Sequence, residues 1–305
     1  KPETIVVEQP ASVAAFIDEL DARAERLAAG GVEPDVDNML KITHEGSMAA
    51  LDPRTMGLDP DPSRTSKVEA VADRAAQIWA ANRSRTYSDG RGGQSSTPGA
   101  LQVVFCDRST PSGEWNFYDQ LRDELVARGV PASGVRFIHE AKNDAQKARL
   151  FKDCREGKVA VLVGSTEKMG TGMNVQRRLV AVHHADCPWR PADLEQRDGR
   201  VLRQGNENPE VEVLRYVTEG TFDVYKWQKV EEKAAFIYQL RAGTQQGREI
   251  EDFGEAALSF AEVKALASGD SRVIERAQLA MEVEQLGRLR DSHSTSLVKA
   301  RRELA

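Results

Sequence analysis

The sequence predicts an α/β fold in which helices flank a parallel β-sheet, with additional helical segments before and after it. The first observation is an alternation of short β-branched runs with helical patterns through the middle of the chain, which is typical of βαβ units and hence of a parallel sheet. The second is size: 305 residues exceed one ordinary domain but are too few for three. We therefore expect one α/β core with helical additions.

Five apolar runs are the predicted strands of this core. In chain order they are "LQVVFCD", "VRFIH", "VAVLVGS", "RLVAVHHADC" and "EVEVLRYVTEG". The runs between them have helical spacing, as in "EWNFYDQLRDELVARG" and "DAQKARLFKDCREG", and a long helix is predicted from Thr221 to about Leu240. This order predicts helices on both faces of the sheet.

Changes in composition divide the chain into three predicted segments. Residues 1–95 are predicted to be helices and loops, with Ser12 and Ser66 as candidate N-caps. Residues 96–242 form the α/β core, and residues 243–305 form a helical extension. The Gly- and Ser-rich stretch 88–99 is predicted to be a mobile linker. The opening "KPETIVVEQP" resembles the middle of a longer chain, so we expect a fragment.

Composition excludes some classes of protein and favours others. No apolar stretch approaches the roughly 18 residues of a membrane span. The three cysteines lie far apart, which favours buried thiols in a reducing cytoplasm over disulfides or a metal site. The net charge of −6 argues against a uniformly basic nucleic-acid binder, yet residues 141–205 hold 13 Lys/Arg against 8 Asp/Glu. By itself this excess would be interpreted as a solvated surface.

The loop after the third predicted strand, "TEKMGTGMNVQ", is rich in glycine and small polar residues. Gly170 and Gly172 would let the backbone approach a ligand closely, and Thr166 and Asn174 supply neutral donors and acceptors. Such a loop more often makes a tight turn than a phosphate site. The chain contains neither a G-x-x-x-x-G-K-[ST] loop nor a G-x-G-x-x-G that opens a helix after the first strand of the sheet.

The helix after the fourth predicted strand carries the most specific pattern, Q-R-x-G-R-x-x-R. Three-residue spacing is expected to bring Arg197, Arg200 and Arg203 near one helical face. Guanidinium groups stay charged and can bind phosphate oxygens in a forked geometry, as a nucleotide-hydrolysing site requires. The competing interpretation is three solvated arginines that pair with Glu195 and Asp198.

The order of these motifs resembles the second RecA-like lobe of superfamily 2 helicases and translocases, and most closely the Swi/Snf-type ATPases. In that family a strand, an acidic residue and a "pWnP" turn precede the arginine helix, and a "GQ"-like ending and a "v.rlv..gT.e" strand follow it. The corresponding positions here are Asp186, 188–191, 203–205 and 216–221, and the resemblance covers about Gln102 to Leu240. The flanking stretches "DNMLKITHEGSMAALDPR" and "SGDSRVIERAQLAMEVEQLGRLR" resemble phage- and plasmid-borne proteins that join such a motor to an adenine-specific DNA methylase.

The resemblance implies roles for individual residues. Arg200 and Arg203 match the arginine fingers that stabilise transferred phosphoryl charge, and Gln196 matches a glutamine that orders the same site. Implied nucleotide-binding residues are Gly170, Gly172, Asn174 and Arg197, and the implied nucleic-acid-binding residues are Thr166, Lys142, Lys147, Arg177 and Arg178. His183 and His184 are expected in the core, and Trp189 either packs the turn before the helix or stacks on a base.

The sequence also departs from the family pattern. The phosphate-binding lysine loop of the family's first lobe is absent. The acidic magnesium motif is absent too, because the acidic pairs Asp18-Glu19 and Asp123-Glu124 fall on predicted amphipathic helices and not after a buried strand. The resemblance therefore implies that ATP and Mg²⁺ are bound with another lobe of the same polypeptide, that DNA is the partner, and that this chain alone lacks ATPase activity. A non-catalytic module that binds a partner such as a DNA methylase remains an alternative, and a Rossmann-type nucleotide-binding domain is disfavoured.

Overall fold

A computed structural model describes residues 2–30, 33, 35–89, 92–113, 115–169, 173–201 and 203–241. In this part of the chain, residues up to 16 and from 44 onward form one compact unit, and residues 17–43 belong to a second. In the second unit Arg23 forms a forked ion pair with Asp37, with both N–O distances at 2.8 Å. The hydrogen bond from Arg23 lowers the pKa of Asp37.

The described chain contains six strands and eight helices. The strands are β1 (Glu3–Val7), β2 (Leu101–Phe105), β3 (Val135–Phe137), β4 (Val161–Gly164), β5 (Leu179–His184) and β6 (Glu212–Thr218). The helices are α1 (Ala11–Ala29), α2 (Met39–Leu51), α3 (Lys67–Asn82), α4 (Phe117–Ala127), α5 (Asp144–Arg155), α6 (Thr166–Met169), α7 (Pro191–Val201) and α8 (Phe222–Arg241).

All six strands pair in parallel in one sheet of order β1-β6-β5-β2-β4-β3. The five strands predicted from the sequence are β2 to β6, so the predicted α/β class with a parallel sheet is confirmed. The central strands are buried on both faces, as their continuous apolar runs indicate. Because the strands are parallel, the loops that follow β2, β4 and β5 meet at the carboxyl edge of the sheet.

Two apolar clusters cover the two faces of the sheet. On one face α3 and α4 pack against side chains that include Val104, Val163 and Tyr216. On the other face Phe151 of α5 belongs to the cluster that contains Val103 of β2. Successive residues of β2 point to opposite faces, so this strand contributes to both clusters. The helices therefore lie on both faces, as the βαβ order predicts.

The amino-terminal segment contains two elements that the sequence analysis missed. Strand β1 pairs along its whole length with β6, from Glu3 opposite Leu214 to Val7 opposite Thr218. It is five residues long and its partner lies about 210 residues away, so no local pattern indicates it. Helix α2 includes Gly46, where a Cβ would lie 2.6 Å from the Phe222 ring. The glycine that weakens the helical pattern allows this close contact.

The cap predicted for α3 is confirmed, and the one predicted for α1 is wrong. Ser66 and Glu69 form a reciprocal capping box, with the Ser66 N–H donating to Glu69 Oε2 at 2.7 Å. Helix α1 already begins at Ala11, and the Ser12 hydroxyl donates to the carbonyl of Asp59 at 2.8 Å. A serine near a helix start caps it only if its backbone lies outside the helix.

A buried polar chain crosses the centre of the sheet through His183, which the sequence predicts as a core residue. Gln102 donates through Nε2 to the carbonyl of Ala75 at 2.9 Å, so its oxygen faces His183 Nε2 at 3.0 Å. On the other side of the ring, Nδ1 lies 2.8 Å from the Tyr216 hydroxyl. The Gln102 oxygen can only accept, so Nε2 donates to it, and in the neutral imidazole Nδ1 then accepts from the Tyr216 hydroxyl. Burial lowers the pKa of His183 to about 3.

This depressed pKa predicts a pH-dependent stability. Below pH 6.5 the unfolded chain protonates the imidazole and the folded chain does not until about pH 3, so acid favours unfolding in that window. The contribution is at most about 1.4 kcal/mol per pH unit. We expect the free energy of unfolding, from urea titrations between pH 4 and 7, to fall less steeply with acid in His183→Gln than in the wild type. Equal slopes would contradict a neutral His183.

Candidate functional site

The carboxyl edge of the sheet brings together polar residues from the loops after β2 and β5 and from the helices α6 and α7. Asp107 and Arg108 follow β2, Thr166 follows β4 and Asp186 follows β5. Helix α7 begins a few residues after Asp186 and contributes Arg197. Ligand sites in open parallel sheets lie at this edge, so these residues form the candidate site.

Arg197 is the centre of this group and is only 1% exposed. Its Nη2 donates to Asp107 Oδ2 at 2.7 Å and to Asp186 Oδ1 at 2.9 Å. Its Nη1 donates to the carbonyl of Asp186 at 2.9 Å, and its Nε donates to Thr166 Oγ1 at 2.7 Å. The guanidinium carbon lies 5.3 Å from the centre of the Phe105 ring. Every nitrogen of the guanidinium is therefore bonded within the protein.

Asp186 joins Arg197 to the loop after β2. Its second carboxylate oxygen accepts the backbone N–H groups of Asp107 at 2.7 Å and Arg108 at 3.0 Å. Burial raises the pKa of Asp186, but the charges of Arg197, Arg108 and Lys226 outweigh burial and lower it to about 2. Burial disfavours the charged form of Arg197, and Asp186 and Asp107 reverse this and raise its pKa. Both groups therefore stay ionised at neutral pH.

Asp107 fastens the loop after β4 to the same centre. Its Oδ1 accepts the backbone N–H of Thr166 at 2.6 Å, and its Oδ2 accepts the Thr166 hydroxyl at 2.9 Å. Thr166 is 9% exposed. The side chain predicted to bind nucleic acid is thus bonded to Asp107 and Arg197 in this structure.

His184 makes a second contact between β5 and α7. The buried ring has its Nε2 3.1 Å from Asp198 Oδ1 and stacks on Phe105, with the ring centres 5.9 Å apart. Burial lowers the pKa of His184, although the hydrogen bond with Asp198 opposes this shift. Both histidines lie in the buried strand β5, as the sequence predicts. Asp198, which could have paired with exposed arginines, faces His184.

Arg197 and Arg203 do not share one face, contrary to the prediction from their spacing. Arg197 is buried, whereas Arg203 is exposed just beyond the end of the helix, where its Nε donates to the carbonyl of Gly199 at 2.8 Å. Each step of three residues falls about 60° short of whole turns of a helix with 3.6 residues per turn, so the face drifts along the sequence. The side chain of Arg200 lies outside the described residues, and Gln196 is half-buried.

The glycine-rich loop is only partly described. Gly170 and Gly172 lie outside the described residues. Asn174 is exposed, and its carbonyl accepts a hydrogen bond from Arg155 Nη1 at 2.8 Å. Arg155 is the last residue of α5, so this contact draws the end of the loop toward the carboxyl end of that helix.

The four basic residues predicted to follow one nucleic-acid track lie at opposite edges of the sheet. Lys142 is exposed between β3 and α5, and Lys147 is half-buried in the first turn of α5, so both lie toward the carboxyl edge. Arg177 and Arg178 immediately precede β5 and therefore lie at the amino edge. Arg178 is 1% exposed and donates to the carbonyls of Thr97 at 2.7 Å and Gly99 at 3.2 Å.

Lys226 is a buried residue of this region that the sequence analysis missed. It donates to the carbonyl of Cys187 at 2.9 Å, and its Nζ lies 4.5 Å from the centre of the Trp189 ring. Burial lowers its pKa to about 8, and the charge of Arg108 adds to this effect. Trp189 thus packs in the turn before α7, one of its two predicted roles. The only sequence signal was a lysine between two aromatic residues of α8.

A family match covers the part of the chain that contains the candidate site. Residues 98–205 match the family described as helicase conserved C-terminal domain. This match extends from just before β2 to just past α7 and includes Asp107, Thr166, Asp186 and Arg197. The resemblance to a helicase C-terminal lobe that the sequence motifs indicate is therefore confirmed over these residues.

Individual relatives agree with this class. The chain is 32% identical over 92 residues to the defense against restriction protein B of Escherichia phage P1, and 37% identical over 83 residues to the uncharacterized ATP-dependent helicase YqhH of Bacillus subtilis. These alignments cover 30% and 27% of this chain but only 4% and 14% of the two relatives. The crystal structure of the C-terminal part of the Fun30 ATPase domain superposes with a TM-score of 0.53 and 12% identity, covering 91% of this chain and 98% of that one.

None of the helices among the described residues is both long enough and apolar enough to cross a bilayer.

The buried network predicts unequal effects of two arginine substitutions. Arg197→Met would remove the hydrogen-bonded ion-pair partner of the buried Asp186 and leave only Arg108, at 3.7 Å; breaking such a buried pair costs about 3–5 kcal/mol. The matched Arg203→Met removes an exposed side chain and should change stability by less than about 0.5 kcal/mol. Urea titrations monitored by circular dichroism measure both values. A stability loss of similar size in the two variants would contradict the anchoring role of Arg197.

Proposed function

We propose that this chain is the C-terminal motor lobe of an ATP-dependent DNA helicase or translocase. The observation that carries the proposal is the Asp107–Thr166–Asp186–Arg197 network, which fixes α7 at the carboxyl edge of a helicase C-terminal domain. The helix end beyond Arg197 carries Arg200 and the exposed Arg203. Relatives of this class include an ATP-dependent helicase, which supports the use of ATP.

In this proposal Arg200 and Arg203 act on nucleotide phosphates held by another lobe, and Gln196 helps to order them. A guanidinium that reaches the phosphates from across a cleft can neutralise the charge that develops during phosphoryl transfer. Arg203 meets the first requirement, because it is exposed and its Nη groups are not needed for its bond to Gly199. Gly170, Gly172 and Asn174 remain the proposed nucleotide-facing loop.

Arg197 is better described as a positioning residue than as a nucleotide ligand. All three of its nitrogens already bond to protein oxygens, and a ligand phosphate would have to displace a buried ion pair to reach them. Its fixed side chain holds α7 against the strand ends. We therefore assign the orientation of the helix to Arg197 and phosphate contacts to the residues that follow it.

Magnesium does not fit the carboxylates of the described site. Asp186 accepts from Arg197 and two backbone N–H groups, and Asp107 accepts from Arg197 and Thr166. Within the described residues no three His, Cys, Asp or Glu side chains are grouped as metal ligands. We propose that Mg²⁺ and the phosphate-binding lysine loop belong to the first RecA-like lobe, in the same polypeptide.

The proposed DNA contacts at the carboxyl edge are Lys142 and Lys147. Thr166 is bonded within the protein, and Arg177 and Arg178 lie at the opposite edge of the sheet, so none of the three belongs to this carboxyl-edge set. Contacts of lysine with phosphates position a duplex without reading its sequence. A DNA methylase is a further proposed partner of the intact protein. The three cysteines of this chain are buried and free, which favours a location in the reducing cytoplasm.

The finger roles predict a specific kinetic defect. In the two-lobe protein, Arg200→Ala and Arg203→Ala should each lower the rate of ATP hydrolysis about 10³-fold while changing nucleotide affinity little, because a finger acts mainly on transition-state charge. Single-turnover hydrolysis and nucleotide titration separate the two effects. Arg149→Ala, which removes an exposed arginine of α5, is the matched control. Equal losses of rate and affinity would instead indicate ground-state phosphate binding.

The division of the site between two lobes predicts that this chain alone is inactive. The 305-residue chain should release no phosphate from ATP above background in the presence of Mg²⁺, because the two carboxylates of the described site, Asp107 and Asp186, pair with Arg197. A malachite-green assay over several hours measures this. Magnesium-dependent turnover that disappears in Arg200→Ala would contradict the proposed division. Inactivity of the two-lobe protein as well would favour the non-catalytic interaction module.

DNA binding by the chain should be weak, indifferent to sequence and sensitive to salt. Residues 141–205 carry an excess of five positive charges within a chain of net charge −6, and phosphate contacts release counterions. Anisotropy of a labelled duplex at several salt concentrations measures the dependence. Lys142→Glu with Lys147→Glu should weaken binding and flatten the salt dependence. Binding that ignores salt would count against a phosphate track.

A further inference from the structure

A second group of basic side chains lies at the amino edge of the sheet, opposite the candidate site. Strands β2, β4 and β5 begin there, and a groove of about 720 Å³ opens beside them. The cations that line this groove are Lys152, Arg155, Lys158, Arg177 and Arg178. The charged residues of opposite sign in its lining are Asp89 and Glu156. The lining therefore has a net positive charge.

Arg178 lies in this lining with two donors that no acceptor among the described residues meets. Its Nη1 donates to the carbonyls of Thr97 and Gly99, whereas its buried Nε and Nη2 meet no acceptor among the described residues. Among the described residues, no carboxylate forms an ion pair with the Arg178 guanidinium. Burial lowers its pKa. An oxygen-rich anion would supply what this side chain lacks.

The guanidinium of Arg178 fits closely between Gly157 and Tyr87. A Cβ at position 157 would overlap Arg178 Nη1, and Gly157 also has a φ of +83°, which favours glycine. The guanidinium carbon lies 5.1 Å from the centre of the buried Tyr87 ring. The turn after α5 and the segment before β2 thus hold the guanidinium between them.

The remaining cations of the groove differ in how fully they are paired. Lys158 is bonded to Asp153 at 3.1 Å and Glu156 at 2.7 Å. Arg177 is 3.8 Å from Glu207, and Lys152 is 3.7 Å from Glu156 with 65% of its side chain exposed. Arg177 and Lys152 can therefore turn toward a ligand at little cost.

We propose that this groove binds the phosphates of a polynucleotide backbone, as a contact surface separate from the carboxyl edge. Its volume exceeds that of a single phosphate, and its charges are spread along it rather than focused on one point. The other lining side chains include the hydroxyls of Ser95, Ser96 and Thr97. Arginine, lysine and hydroxyl donors are the groups that contact phosphate and sugar without reading bases. The inference takes the kind of ligand from the proposed function, but its site and residues are independent of the ATPase residues.

Two matched double variants of the 305-residue chain test the groove. Lys152→Ala with Arg177→Ala removes two cations at the amino edge, and Lys142→Ala with Lys147→Ala removes two at the carboxyl edge. Anisotropy titrations of a labelled duplex at salt concentrations from about 50 to 200 mM measure the affinity and its salt dependence. The groove variant should bind about tenfold or more weakly near 0.1 M salt and reduce the log–log salt slope by about 2.

The outcomes separate the groove from the proposed function. If the groove variant keeps the wild-type affinity and salt slope, the groove does not bind the duplex, whatever the carboxyl-edge variant does. Loss of binding in the groove variant alone would support it even if the carboxyl-edge track or the ATPase role failed. The variant Lys152→Arg with Arg177→Lys keeps both charges and should bind the duplex as the wild type does. If it does not, or if the alanine variant has an altered thermal unfolding temperature, the loss of binding is due to folding and the proposed groove site is wrong. Calorimetry with inorganic phosphate that finds binding while duplex affinity is unchanged would identify a free-anion site instead and also overturn the proposal.

Discussion

The buried ion pair between Arg197 and Asp186 is the interaction on which the carboxyl edge of this protein depends. Removing either charge from water costs several kcal/mol, and only close pairing with further hydrogen bonds compensates for it. Here the compensation comes from Asp107, Thr166 and two backbone N–H groups. The pair therefore constrains the loops after β2 and β4 as well as the helix that carries Arg197.

The same constraint gives α7 a fixed orientation at the strand ends. Arg197 and the His184–Asp198 contact hold one side of the helix against β5. Lys226 holds the preceding turn through the carbonyl of Cys187 and the ring of Trp189. A side chain that must meet a phosphate across a cleft benefits from such fixed support, because preorganised charge does not have to be reoriented during the reaction. The exposed Arg203 follows directly after this anchored segment.

The parallel sheet also separates two groups of basic residues that are close in sequence. All strands run in one direction, so the loops before the strands and the loops after them lie at opposite edges. Helix α5, of 12 residues and about 18 Å long, spans the distance between the edges, with Lys147 in its first turn and Arg155 at its end. An excess of charge counted along the sequence thus becomes two distinct surfaces.

The sequence by itself determined the α/β class, strands β2 to β6, the cap of α3 and the helicase motifs, because these depend on local patterns of apolar and polar residues. Tertiary structure decided what depends on distant partners. It paired β1 with β6 some 210 residues away, and it turned Arg197 inward while leaving Arg203 in solvent. It also buried the side chain of Arg178 against the carbonyls of Thr97 and Gly99, which lie about 80 residues earlier in the chain. Burial and charge pairing are properties of the assembled sheet, and three-residue spacing along a helix does not encode them.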